Sequence, residues 1–247
     1  RFREKNLGCG LAVHDALRWF FENVEAGVIL EDDVLPDPTF FPYCAELLER
    51  HRDDPGVMMI SGYNPLDRRV GDGDYYASAM AQIWGWATWR RAIAHFDFRL
   101  ESYPAFRDAD RLRETMSSRL QRNHFANEIG HYHSQHVTAN WDLQWFYSCL
   151  NQRGACLIPC TNLVRNIGFG ADSTFAANPF SYHARRKTAP MPLPPKAPTS
   201  LKPDAKTDRA ILGRASGLTY THQFLVRCVR PFAGVLLKTL QWLREAV

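Results

Sequence analysis

The stretch Gly27-Val28-Ile29-Leu30-Glu31-Asp32-Asp33-Val34-Leu35-Pro36 decides the fold of this chain. Its apolar run, Val28 to Leu30, predicts a buried strand that stops at three consecutive carboxylates. In an open α/β sheet, ligands bind outside the carboxyl ends of the strands. Three adjacent like charges repel one another, and a divalent cation held by carboxylate oxygens and substrate phosphate would offset that repulsion. The alternative is a solvated acidic turn, and the triplet alone leaves both interpretations open.

The neighbouring segments predict helices and a second strand around this stretch. Apolar residues at helical spacing predict one helix over 6–25 and another over 38–52. The run Val57-Met58-Met59-Ile60-Ser61 predicts a buried strand, and it is followed by a loop at Gly62-Tyr63-Asn64-Pro65. Strand, helix and strand in this order form a βαβ unit. We therefore predict an α/β fold with a doubly wound, mostly parallel sheet flanked by helices.

Composition limits the class of protein. The chain has 247 residues, of which 45% are hydrophobic and 13% aromatic, which is typical of a globular protein with a proper core. A net charge of +4 suits an anionic substrate or a membrane surface and does not indicate a nucleic-acid partner. The six cysteines include no CxxC pair, which favours reduced thiols in a cytoplasmic protein. No apolar run reaches the roughly 18 residues of a membrane span.

An aromatic cluster follows at Trp84-Gly85-Trp86-Ala87-Thr88-Trp89-Arg90-Arg91. Buried indoles need partners for their N–H groups, so such clusters often line pockets for ligands with apolar faces and hydroxyl edges, such as sugars. The alternative is an aromatic core at the start of a helix, and both roles can coexist. We interpret the two arginines as solvated helix charges rather than phosphate clamps.

The segment 101–140 is charged, with a predicted helix over 109–120. Four histidines follow it, which we interpret as a mobile, substrate-facing loop rather than a metal site; they are His124, His131, His133 and His136. A helix then begins near Asp142, between Trp141 and Trp145. Asp142 is either a helix cap or a general base, and the flanking tryptophans could pack an acceptor sugar. Further strands are predicted at 155–159 and 163–167.

The last third of the chain changes in composition. The segment 189–203 contains six prolines, which predicts an extended linker lying across a surface. We predict a folded domain over 1–188, a Pro-rich linker over 189–212 and an amphipathic helical tail over 213–247. The tail either docks on the domain, which we favour, or lies on an acidic membrane at the inner face of the plasma membrane.

Four motifs together resemble the GT-A nucleotide-sugar glycosyltransferases. They are Glu31-Asp32-Asp33, Gly85-Trp86, Trp141-Asp142-Leu143-Gln144-Trp145 and Asn166-Ile167-Gly168-Phe169-Gly170. Their order is similar to that of bacterial glycosyltransferase-like proteins and, more distantly, of the N-acetylglucosaminyltransferase I family. The resemblance covers residues 6–175, and four motifs in order are more specific than any one of them.

The resemblance implies a role for each motif. Asp33 would bind Mn²⁺ or Mg²⁺, Glu31 and Asp32 would hold the sugar or ribose of a nucleotide-sugar donor, and Asp142 would be the catalytic base of an inverting transfer. Trp84, Gly85, Trp86, Trp141 and Trp145 would lie on the side of the acceptor, a glycan or glycolipid of a bacterial envelope.

Two departures from the family pattern lead to further expectations. Such folds open with a base-binding βαβ segment, whereas only 30 residues precede Glu31 here, so we expect either a reduced donor pocket or, which we favour, a truncated domain. Relatives also supply a metal-binding histidine after the Phe-Gly turn, where this chain has Phe175; either Asp172 or His183 would have to substitute for it. A catalytically inactive binding or regulatory module stays open as the alternative function. A phosphoryl-transfer enzyme is disfavoured because no Gly-rich phosphate loop is seen.

Overall fold

The computed structural model describes residues 2–66, 68–169 and 182–216. Seven strands form a five-stranded and a two-stranded sheet within these residues. The strands are β1 Ala26–Ile29, β2 Val34–Pro36, β3 Val57–Ser61, β4 Tyr75–Ser78, β5 Trp86–Trp89, β6 Ala155–Pro159 and β7 Val164–Asn166. The helices are α1 Cys9–Asn23, α2 Phe40–Arg50, α3 Arg90–Ile93, α4 Tyr103–Asp108, α5 Leu112–Thr115, α6 Arg119–Ser134, α7 Asp142–Asn151 and α8 Ala205–Ser216, with a 3₁₀ turn at His183–Arg185. The α/β class is confirmed.

The large sheet is mixed, with the strand order β1-β5-β3-β6-β4. Only β3 and β6 pair in parallel, while the pairs β1–β5, β3–β5 and β4–β6 are antiparallel. The prediction of a mostly parallel sheet is therefore wrong for the hydrogen-bonded neighbours. The predicted βαβ unit exists, because β1 and β3 each run antiparallel to β5 and so point the same way, but β5 lies between them.

The core is divided by this sheet into two layers. Helix α2 covers one face with Phe40, Tyr43, Cys44 and Leu47, which are all fully buried. The other face is covered by α1, α7, α8 and the connecting helices. The predicted strand at residues 28–30 is β1, an edge strand that is half-buried rather than buried.

The histidine-rich segment is helical, which corrects the predicted mobile loop. His124, His131 and His133 lie on α6. Ser118 begins this helix, because its hydroxyl accepts a hydrogen bond from the backbone N–H of Gln121. Few apolar residues lie on α6, so helical periodicity is weak in this segment.

The Pro-rich segment lies on the domain and leads into α8, which begins inside the predicted linker 189–212. Asp74 makes two hydrogen bonds to this segment. Its backbone N–H donates to the Lys196 carbonyl, and its carboxylate accepts from the Lys196 backbone N–H. On α8, Ile211 and Leu212 are buried in the core, and Asp208 accepts hydrogen bonds from Ser78 Oγ at 2.6 Å and the backbone N–H of Ala79. Most of the predicted tail, 217–247, lies outside the described residues.

Within the described part of the chain, no helix combines the length and apolar character needed to cross a membrane.

Candidate functional site

The acidic loop 31–33 connects the two sheets. It leaves the large sheet at the end of β1 and enters the small sheet at Val34, which is paired with Asn166 of β7. The backbone carbonyl of Asp33 accepts from the N–H of Ile167 at 2.8 Å. Two of the four predicted motifs, the acidic triplet and the Asn-Ile-Gly-Phe turn, are therefore adjacent in the fold.

The Asp33 side chain lies against this turn. Its Oδ2 accepts from Asn166 Nδ2 at 3.3 Å. A Cβ atom at Gly168 would lie 2.2 Å from the same Oδ2, so the close approach requires glycine. Asp33 Oδ1 is buried and has no hydrogen-bond partner among the described residues. A buried carboxylate oxygen is costly unless something positive or hydrogen-donating meets it, so this atom fits a cation ligand.

Glu31 lies at the centre of the cluster. Burial raises the pKa of its carboxyl, and repulsion by Asp33, Asp142 and Asp32 adds to this effect, while a hydrogen bond from Trp141 opposes it. The carboxylates of the first and third predicted motifs therefore come together in space. Asp32 is exposed.

Asp142 is the first residue of α7, and its side chain is exposed. Trp141 occupies the N-cap position, and no side chain among the described residues caps this helix end. The alternative role of Asp142 as the capping side chain is therefore not what the structure shows. The positive end of the α7 dipole stabilises a carboxylate in this position.

A glycine of α1 sets the position of this helix. The N–H of Gly10 donates to the carbonyl of Ala139 at 3.0 Å, just before α7. A Cβ at Gly10 would lie 2.2 Å from the Thr138 carbonyl oxygen and 2.4 Å from that of Asn140. Only a glycine lets α1 approach the segment that delivers Asp142.

Three of the predicted acceptor-side tryptophans belong to the core. Trp86 and Trp145 are fully buried and Trp141 is 3% exposed. The ring centroid of Trp86 lies 5.8 Å from that of Trp141 and 5.4 Å from that of Trp145. The prediction that Trp86 and Trp145 contact an acceptor is corrected, because other protein side chains cover their rings. Trp141 contacts the site because its indole N–H donates a hydrogen bond to the Glu31 carboxylate.

Trp84 and Gly85 have different surroundings. Trp84 is half-buried among Tyr63, Phe169 and His183. Gly85 has φ 58°, and a Cβ there would lie 2.8 Å from Val164 Cγ1. Gly85 therefore meets a backbone and packing requirement, which accounts for it without an acceptor.

The two arginines after this cluster hold the backbone. Arg90 Nε donates to the carbonyl of Phe21, and Arg91 donates to three carbonyl groups and stacks over Trp89. Neither is the solvated charge that the sequence predicts.

Sequence reasoning missed three residues near the carboxylates: Cys9, Asn140 and Tyr132. Cys9 lies close enough to Glu31 and Asp142 for both to raise the pKa of its thiol, after the larger effect of burial. Asn140 donates from Nδ2 to the hydroxyl of Tyr132 at 2.9 Å. Asn166, which donates a hydrogen bond to Asp33, belongs to the fourth motif, but the sequence predicts no role of its own for it. No spacing rule connects these positions with the acidic triplet.

The described residues hold no group of three or more His, Cys, Asp or Glu side chains arranged to bind a metal ion. His183 lies instead beside Tyr63 and Trp84, with its Nδ1 hydrogen-bonded to the Tyr63 hydroxyl. Asp172 and Phe175 lie outside the described residues. A Mg²⁺ site often uses only one or two carboxylates, with water and substrate phosphates as the remaining ligands, and Asp33 fits that type.

No protein-family model matches this chain, and no curated protein sequence matches it.

Proposed function

We propose that this chain is a metal-dependent, inverting glycosyltransferase of the GT-A type that transfers a sugar from a nucleoside-diphosphate donor to a glycan or glycolipid hydroxyl. One observation carries the proposal. The fold brings Asp142, the first residue of α7, close enough to Glu31 of the acidic loop for its charge to raise the pKa of Glu31. Asp33, in the same loop as Glu31, has the same effect. The mixed α/β sheet is compatible with this type of fold.

Asp33 is suited to the donor side of the site. Its buried Oδ1 lacks a protein partner, while Oδ2 is fixed by Asn166. A divalent ion bound there would neutralise the charge of the leaving diphosphate. Glu31 and the exposed Asp32 would accept hydrogen bonds from donor hydroxyl groups.

Asp142 is suited to the acceptor side. An exposed carboxylate at a helix N-terminus can approach a bound hydroxyl and take its proton while the oxygen attacks the sugar carbon. Trp141, the residue before it, is fixed by core packing and donates a side-chain hydrogen bond to Glu31. This arrangement holds the base close to the donor carboxylates.

The proposal is tested by thermal shift with UDP-, GDP-, TDP- and CMP-sugars, each with and without Mn²⁺. We expect one nucleotide class to stabilise the protein only with Mn²⁺, and Asp33→Ala to abolish that shift. Asp142→Asn should keep the shift and lower transfer by about 10²- to 10⁴-fold. Asp53→Ala, which removes an exposed carboxylate beyond α2, is the control and should change neither.

A metal-dependent shift that survives Asp33→Ala would refute the metal assignment. Donor binding without transfer to any glycan in the wild-type protein, unchanged by Asp142→Asn, would favour the inactive binding module.

A further inference from the structure

A cavity of about 170 Å³ lies between the turn at residues 98–100 and the segment 132–138 that follows α6. Its walls include Arg99, Leu100, Tyr132 and His136. Its volume equals the share of about five or six water molecules in the liquid. It therefore has room for one small group, such as a phosphate or carboxylate with its neighbouring carbons, rather than for a whole nucleotide.

Two exposed side chains on the cavity wall, Arg99 and His136, carry hydrogen-bond donors. Within residues 2–66, 68–169 and 182–216, neither side chain makes a hydrogen bond or ion pair with the protein. Arg99 is always charged and presents five N–H donors that match carboxylate and phosphate oxygens. After burial, the positive charges of Arg18 and Arg99 lower the pKa of His14, so the positive surface continues beyond the cavity.

Two residues of the cavity wall have left-handed backbone conformations. Leu100 has φ 58° and His136 has φ 49°, and neither is a glycine. His136 directly follows the C-cap of α6, where this conformation commonly ends a helix, and the Val137 N–H donates to the Tyr132 carbonyl at 3.0 Å. Both residues line the same cavity.

The cavity adjoins the candidate base. The Tyr132 hydroxyl in its wall accepts from Asn140 Nδ2, two residues before Asp142. After burial, the negative charge of Asp142 is the next largest effect that raises the pKa of Tyr132. The charge of Asp142 thus raises the pKa of Tyr132 as well as that of Glu31, which indicates that Asp142 lies near both the cavity and the acidic loop.

We propose that this cavity binds the phosphate or carboxylate group of the acceptor, so that the acceptor is an anionic sugar or a phosphorylated glycolipid. The inference rests on the proposed function. An anion near Arg99 could come from the acceptor or from the donor diphosphate. The acceptor is favoured, because an inverting base stands on the opposite side of the transferred sugar from the leaving group, and the cavity adjoins the base.

The test compares dissociation constants of glucose, glucose 6-phosphate and glucuronate by calorimetry at low ionic strength. We expect both anionic sugars to bind at least about tenfold more tightly than glucose, since hydrogen bonds to charged groups are the stronger ones. Arg99→Gln should remove this preference, and Arg99→Lys should keep part of it. Arg119→Gln is the matched control, because it removes one exposed positive charge at the far end of α6, about 20 Å away by helix length.

Equal binding of the three sugars, or equal losses in Arg99→Gln and Arg119→Gln, would overturn the inference. Titration of UDP, GDP, TDP and CMP with Mn²⁺ separates the two anion sources: a loss of nucleotide binding in Arg99→Gln with unchanged sugar binding would assign Arg99 to the donor and overturn the acceptor assignment. If none of these nucleotides binds the wild-type protein with Mn²⁺, the proposed function fails, whereas the sugar titrations still measure the anion preference of the cavity. Melting curves of each variant show whether it is folded.

Discussion

Replacing Glu31 with Gln should stabilise the protein at neutral pH. Burial and three neighbouring carboxylates raise the pKa of Glu31, which means that the folded protein disfavours its charged form. With a pKa raised above its unfolded value of about 4.3, the stability contributed by Glu31 is fully present below that pH. It is lost as the pH rises through the folded pKa. Gln keeps the shape of Glu31 without its charge, so the variant does not lose stability when the pH rises through the folded pKa of Glu31.

The size of the effect follows from two opposing contributions. The hydrogen bond from Trp141 weakens by about 1 kcal/mol when its acceptor becomes neutral. Burial and repulsion by Asp33 both act on Glu31 more strongly than this bond does, so a net gain remains. We expect roughly 0.5–2 kcal/mol, the usual gain from one stabilising substitution. At about 2–4 °C per kcal/mol, the Tm should rise by roughly 1–8 °C.

The assay is thermal unfolding from pH 4 to pH 8 in metal-free buffer. The gain should be present at pH 7 and fade towards pH 4, where Glu31 is protonated in both states. Glu22→Gln is the matched control, because Glu22 is exposed on α1 and its neutralisation should leave the Tm almost unchanged. A variant less stable than wild type at pH 7, or a gain of equal size at pH 4, would show that the carboxylates are not in repulsive contact.

Two further predictions concern the scaffold. Trp145→Ala should lower the free energy of unfolding in urea by about 3–5 kcal/mol, since a fully buried indole is lost. Trp19→Ala, at a position 42% exposed, should cost clearly less because less apolar surface is lost, and equal losses would contradict the core assignment. Burial raises the pKa of Asp208 to about 6. The wild-type Tm should therefore fall as the pH rises from about 4 through 6, and Asp208→Asn should flatten that slope. An unchanged slope would mean that another group titrates.

Local patterns predicted several of the individual elements, although the helix predicted over 109–120 is wrong, because this segment holds the short helix α5 and only the start of α6. The apolar run Val57–Ser61 is β3 with the same bounds, and the helix expected near Asp142 is α7. In both cases the chain neighbours decide the structure, because hydrophobic periodicity and a charged boundary lie within a few residues. The end of β1 at the acidic triplet follows for the same reason.

Tertiary packing decided what the sequence could not. The insertion of β5 between β1 and β3 depends on long-range pairing, for which the residues Trp86–Trp89 carry no local signal. Likewise, the approach of Asp142 to Glu31 was expected only from the family resemblance. In the structure it depends on Gly10, an ordinary-looking glycine inside an amphipathic helix.

The small sheet has a consequence for how the acidic loop is held. Only three residue pairs, from Val34–Asn166 to Pro36–Val164, connect β2 and β7. A two-stranded ribbon is marginally stable by itself, so this part of the fold can open while the five-stranded sheet stays intact. The fraction of time that Asp33 spends beside Asn166 is therefore set by a local equilibrium, and amide hydrogens of β2 and β7 should exchange with solvent sooner than those of β3 and β6.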